Sequence, residues 1–137
     1  MPLPTPEEAL IYLMVVSSAA DRDMSDLELG RIGDVVRSWP IFADFDRNRL
    51  IEIAQECQMI VQGLEGLDEV LALARGVIPQ RLCDTAYAAA FEVATADLEM
   101  RMEEARILQR IADALGVDDD LVHAIEIAAK ARHKSLT

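Results

Sequence analysis

Six carboxylates stand in two equivalent places in the chain. Two segments share the pattern A-D-x-[DE]-M-x-x-x-E at a constant offset of 76 residues. The acidic members are Asp21, Asp23 and Glu28 in the first copy, and Asp97, Glu99 and Glu104 in the second. Carboxylate oxygens are good ligands for hard divalent cations, so the pattern indicates a metal site for Ca²⁺, Mg²⁺, Mn²⁺ or Zn²⁺.

The positions of these acids relative to helix ends favour a shared ligand. Asp21 and Asp97 directly follow apolar helical stretches, where the helix dipole disfavours a carboxylate by roughly 0.3–1 kcal/mol unless a positive group offsets it. Glu28 and Glu104 fall in the first turn of the next predicted helix. The loop is not the twelve-residue calcium loop, because it holds Ile32 where that loop needs its last Glu.

A purely structural interpretation competes with the metal site. Ser25 and Glu28 have the spacing of a capping box, and Asp23 can cap the same helix. Arg22 and Arg101 stand inside the two acidic turns and can neutralise them as weak surface ion pairs. On this interpretation the acidic residues are caps and solvated turns.

The elements that must position these residues are all helical. Apolar residues make up 52% of the 137-residue chain and aromatic residues only 4%, which favours a core of Ala, Leu, Ile, Val and Met. Apolar spacing and capping residues predict helices at 5–20, 25–38, 46–64, 67–76, 79–96, 102–115 and 118–131. We therefore predict an all-α fold: a single-domain bundle over residues 1–137, with about seven helices and an internal pseudo-twofold helix–turn–helix repeat.

Several finer expectations follow from the same spacing. The apolar stripe of the third helix extends to Leu64, and Trp39, Phe42 and Phe45 plug the corner before that helix. The last helix buries a stripe made of Leu121, Val122, Ile125, Ala128 and Ala129. Cys57 and Cys83 lie on apolar stripes as buried free thiols, and His133 lies in a frayed tail.

Charge and hydropathy exclude several partners. The net charge of −12 argues against a nucleic-acid partner and against binding anionic lipid through charge alone. The apolar stretch 9–20 is too short to span a bilayer, and no basic residue precedes it as in a signal peptide. We expect a cytoplasmic protein without a transmembrane segment.

The two acidic segments resemble the TerB-like tellurite-resistance proteins over about residues 8–128. Their signature reads A-D-G-x-[IV]-x-x-x-E, with a comparable acidic turn in the second half. The resemblance implies a small all-α domain with pseudo-twofold symmetry and a divalent cation held by the six acidic residues. It also implies a role in stress resistance beside other stress-response proteins, and it is compatible with peripheral membrane association and with a homodimer.

This chain departs from the signature at the glycine. Arg22 and Leu98 occupy that position in the two copies, and Arg22 adds a positive charge beside the predicted site. Glycine permits a left-handed turn and close backbone approach to a ligand, so the departure predicts weakened metal binding. The expected function is non-catalytic cation or partner binding. The rivals are an acidic protein–protein adaptor without metal and, more remotely, a carboxylate-bridged metalloenzyme.

Overall fold

Seven α-helices form the bundle. The computed structural model describes residues 3–18, 26–95 and 102–136. The helices are α1 (Pro6–Ser18), α2 (Asp26–Ser38), α3 (Leu50–Val61), α4 (Gly66–Val77), α5 (Cys83–Ala94), α6 (Met102–Leu115) and α7 (Asp119–Arg132). Short 3₁₀ helices at Pro40–Phe42, Arg47–Arg49 and Gln80–Leu82 join them, and the described residues contain no strand. The predicted all-α bundle is confirmed.

Helix α1 is the central helix of the bundle. Every residue from Ala9 to Ser18 is buried, and α1 packs against α2, α3, α4, α5 and α6. A helix that is apolar on all sides can only be stable when it is covered on all sides. Its start is set locally: the Glu8 carboxylate accepts a hydrogen bond from the Thr5 backbone N–H (3.0 Å), and the Thr5 hydroxyl accepts one from the Glu8 N–H (3.2 Å).

Helices α1 and α5 lie close together because α5 is rich in alanine. Ala86, Ala89 and Ala90 are fully buried. The Ser17 hydroxyl donates to the Met14 carbonyl oxygen in its own helix (3.0 Å) and lies 3.1 Å from the Ala90 carbonyl oxygen in α5. Small side chains let the two backbones approach closely enough for this contact.

Helices α1 and α5 are each followed along the chain by a helix with acidic residues in its first turn, α2 and α6. The internal pseudo-twofold helix–turn–helix repeat stays a prediction.

The prediction that the buried apolar stripe of the third helix extends to Leu64 is wrong. Helix α3 ends at Val61, and the Leu64 side chain is 97% exposed. The backbone reverses immediately afterwards, since Glu65 adopts a left-handed conformation with φ of 59°. A Cβ on Gly66 would lie 2.4 Å from the Val61 carbonyl oxygen, so only glycine fits this tight turn.

The prediction that the last helix buries a stripe of five apolar residues is also mostly wrong. Of the predicted stripe only Ala129 is buried, while Leu121 and Ala128 are exposed and Val122 and Ile125 are half-buried. Helix α7 lies at the edge of the bundle and packs mainly on α5. Because α7 packs mainly on one neighbouring helix, fewer of its apolar residues are buried than the sequence pattern predicts.

The other packing expectations are confirmed. Phe42 is buried in the corner before α3 and meets Phe45 edge to face, with ring centroids 6.0 Å apart. Trp39 is half-buried against the core at the same corner. Cys57 and Cys83 are free and buried. None of the helices among the described residues is long and apolar enough to cross a bilayer.

Candidate functional site

Glu28 and Glu104 are the two predicted site residues that the structure describes. Each lies in the first turn of its helix, Glu28 in α2 and Glu104 in α6, and their side chains are 1% and 5% exposed. Neither carboxylate is without a partner. The other four predicted ligands, Asp21, Asp23, Asp97 and Glu99, lie outside the described residues, as do Arg22, Leu98 and the proposed cap Ser25.

The burial of these two glutamates follows from their place on the helix surface. Glu28 stands four residues before Ile32 and seven before Val35, which are both buried, so the carboxylate shares the core-facing stripe of α2. Glu104 stands at the same spacing before Leu108 and Ile111 in α6. The competing interpretation combined caps with solvated turns, and burial excludes only the solvated part for this pair. The capping box of Glu28 involves Ser25, which lies outside the described residues.

A third buried carboxylate, Glu92 in α5, is surrounded by basic side chains. Its Oε1 accepts a hydrogen bond from Arg132 Nη2 (2.7 Å), and its Oε2 lies 2.6 Å from His133 Nε2. Arg31 Nη1 lies 3.6 Å from the same Oε2 and also donates to the Glu92 carbonyl oxygen (3.4 Å). The cluster joins α2, α5 and the end of α7.

The Glu92 cluster corrects one expectation and was missed by sequence reasoning. His133 was expected in a frayed tail, but it is half-buried and pairs with Glu92, because α7 ends directly over the last turn of α5. The available signal was a single charged residue in the apolar stretch 86–94. A lone buried acid requires a positive partner, and the tail supplies it.

A second polar contact fixes α7 on α5. The Tyr87 hydroxyl donates to Glu126 Oε2 (2.8 Å). Burial, together with this carboxylate, raises the pKa of Tyr87 well above its ordinary value of 10.0. The phenol therefore stays protonated and serves as a hydrogen-bond donor.

The two cysteines have the properties of structural thiols. Burial raises the pKa of Cys57 from 9.0 to about 12, and burial also raises the pKa of Cys83, with Asp84 adding to the effect. The thiolate is the nucleophilic form of cysteine, and it is disfavoured at both sites.

No alternative metal centre is visible in the parts of the chain that the structure covers. Across residues 3–18, 26–95 and 102–136, no group of three or more His, Cys, Asp or Glu side chains is arranged to hold an ion. His123, near the acids at the start of α7, is exposed. The acidic pattern at 21–28 and 97–104 thus remains the candidate site, with two of its members placed and buried.

Comparison with known proteins identifies one family. The model of one protein family, described as tellurite resistance protein TerB, matches residues 7–127. No curated protein and no solved structure matches the chain. The family match spans all of the helices α2 to α6 and most of α1 and α7.

Proposed function

The chain belongs to the TerB tellurite-resistance family, and on that premise we propose that it binds a divalent cation through its duplicated acidic cluster. In this proposal it is a non-catalytic domain of a stress-resistance system. The observation that carries the proposal is the burial of Glu28 and Glu104, at equivalent positions in the two halves. Both residues already make interactions within the protein, and a divalent cation would add to these partners, because carboxylate oxygens are its preferred ligands.

The chemistry of the donor set fits a hard cation. All six members of the acidic pattern offer carboxylate oxygens, the preferred ligands of Ca²⁺ and Mg²⁺. Glu28 and Glu104 enter from the first turns of α2 and α6, where the positive end of each helix dipole favours an anionic side chain. Asp21, Asp23, Asp97 and Glu99 would complete the two sets of ligands.

A non-catalytic role is supported by the state of the possible nucleophiles. Both cysteines are buried with raised pKa values, so neither is activated. The chain's net charge of −12 favours a second candidate, an acidic adaptor that docks a basic stress-response protein without metal. Both functions use the same acidic residues and differ in their response to cations.

Thermal unfolding with added cations tests the proposal. Each of Ca²⁺, Mg²⁺, Mn²⁺ and Zn²⁺ is titrated against the full chain. A cation at 100 times its dissociation constant raises the free energy of unfolding by about 2.7 kcal/mol. We expect at least one cation to raise the melting temperature, and we expect Glu28→Gln and Asp97→Asn to abolish the increase. Glu69→Gln, which removes an exposed acid from α4, serves as the matched control.

Two outcomes would contradict cation binding. The first is a melting temperature that none of the four cations changes, which leaves the adaptor as the remaining function. The second is a wild-type increase that persists in full in both Glu28→Gln and Asp97→Asn. That result would place the cation elsewhere on the acidic surface.

A further inference from the structure

Both lysines of the chain line a single cavity at the end of α7. Lys130 and Lys134 are the only two lysines in the sequence, and they border a cavity of about 480 Å³ between α5, α6 and α7. Its volume lies within the range of about 300–1,000 Å³ that is typical of small-molecule sites.

Three apolar residues also line this cavity. Ala105 of α6 is exposed, while Phe91 and Ala129 are 2% and 1% exposed. Thr95 adds one hydroxyl, which already donates to α5 carbonyl oxygens at 3.0 and 3.1 Å. The lining therefore combines apolar and polar residues.

The described part of the lining carries an excess of positive charge. Among the described residues, Glu126 is the one carboxylate that borders the cavity, and it accepts the Tyr87 hydrogen bond. His133 also borders the cavity and is paired with Glu92. Two lysines thus share this part of the lining with one carboxylate, in a chain whose net charge is −12.

The helix dipole explains only part of this arrangement. Cations near the C-terminus of a helix are favourable, which accounts for basic residues at the end of α7. The dipole does not account for an apolar cavity beside them. An amphipathic anion satisfies both features, since its charge pairs with the lysine ammonium groups while its apolar body covers the exposed Ala105 and the methylene chains of the lysines.

We propose that this cavity binds a small organic carboxylate with an apolar body. The carboxylate lies toward the ammonium groups of Lys130 and Lys134, and the apolar body lies against Ala105 and the methylene chains of the two lysines. The proposal uses residues that have no part in the acidic cluster. It therefore stands or falls separately from the proposed cation binding.

Calorimetric titration of the full chain with five probes tests the chemistry. Benzoate and octanoate are carboxylates with an apolar body, benzyl alcohol and 1-octanol are their uncharged counterparts, and acetate is a carboxylate without a sizeable apolar body. We expect benzoate and octanoate each to bind about tenfold tighter than the corresponding alcohol, because only the carboxylate makes charge-assisted contacts. We also expect acetate to bind more weakly than benzoate or octanoate.

A charge-matched pair of variants tests the location. Lys130→Gln combined with Lys134→Gln should weaken benzoate and octanoate binding about tenfold and leave the alcohols unchanged. Arg47→Gln combined with Arg75→Gln removes the same charge from exposed positions elsewhere and should leave all affinities unchanged. In amide NMR spectra, benzoate should shift the signals of Thr95 and Ala129.

Several results would overturn the proposal. They are the absence of saturable carboxylate binding, equal affinity for carboxylate and alcohol, and acetate binding as tight as that of benzoate. Equal loss of affinity in the two double variants would also overturn it, since this would show a general effect of charge rather than a site.

Discussion

Three buried glutamates mark the places where this acidic chain departs from a simple apolar core. Glu28, Glu92 and Glu104 are each less than 10% exposed, among the residues that the structure describes. Burying a carboxylate is costly unless cations or donors surround it. For Glu92 the partners are Arg132, His133 and Arg31, so this carboxylate fixes the C-terminal end of α7.

Replacing Glu92 with glutamine should destabilise the protein. Glu92→Gln keeps the shape but removes the charge that pairs with Arg132 and His133, so we expect a loss of about 1–3 kcal/mol in the free energy of unfolding. Urea unfolding measures the change. Glu69→Gln in α4, an exposed site, should change stability by less than about 0.5 kcal/mol. Equal stability of the two variants would contradict a structural role for the Glu92 cluster.

The turn between α3 and α4 shows how one glycine determines the path of two helices. Glu65 has a positive φ, and the Cα of Gly66 lies against the backbone at the end of α3. This reversal ends α3 at Val61, places Leu64 in solvent and turns α4 back along α3, with which it is in contact. A residue with a Cβ at position 66 cannot be accommodated without moving backbone atoms.

Two glycine-to-alanine variants should change stability in opposite directions. Gly66→Ala places a Cβ 2.4 Å from the Val61 carbonyl oxygen, so we expect a loss of more than about 1 kcal/mol. Gly30→Ala, inside α2, meets no atom within 4 Å and should stabilise the protein by about 0.5–1 kcal/mol through helix propensity. Denaturant unfolding of both variants measures the difference. A neutral Gly66→Ala would show that the turn can relax.

The apolar core around α1 encloses two side chains that ionise only at high pH, Tyr12 and Cys57. Burial raises the pKa of Tyr12 from 10.0 to about 12, with Glu56 adding to the effect, and burial raises the pKa of Cys57 to about 12. Both groups are protonated in the folded protein at pH values where they ionise in the unfolded chain. The stability they contribute is therefore fully present below about pH 9 and is lost as the pH rises through about 12.

Alkaline unfolding should reveal the buried thiol. Between about pH 9 and 11 the free energy of unfolding should fall with rising pH in the wild type and in Cys57→Ala. The wild-type slope should be steeper by up to about 1.4 kcal/mol per pH unit. The difference arises because only the wild type has a Cys57 thiol that ionises on unfolding. Val36→Ala, a core truncation without an ionisable group, should keep the wild-type slope. Parallel slopes for wild type and Cys57→Ala would contradict the raised pKa.

Local signals in the sequence were enough to predict the helices. The Thr5–Glu8 capping box begins α1, Asp118 caps α7 by accepting hydrogen bonds from two backbone N–H groups, and Gly116 follows α6 with φ of 72°. These interactions involve residues within about four positions of one another, so a single sequence contains them. The offset of 76 residues placed Glu28 and Glu104 at corresponding positions in the sequence, but it did not predict that either would be buried.

Contacts between distant segments were decided only by the packing of the helices. Glu92 meets residues 40 and 41 positions later, and Ser17 meets the Ala90 carbonyl oxygen 73 positions later. Which apolar residues of α7 are covered depends mainly on its packing against α5, and residues of α5 and α6 line the cavity that Lys130 and Lys134 border. Capping and periodicity act within a helix, whereas burial and charge pairing depend on which surfaces meet, and no local pattern specifies that.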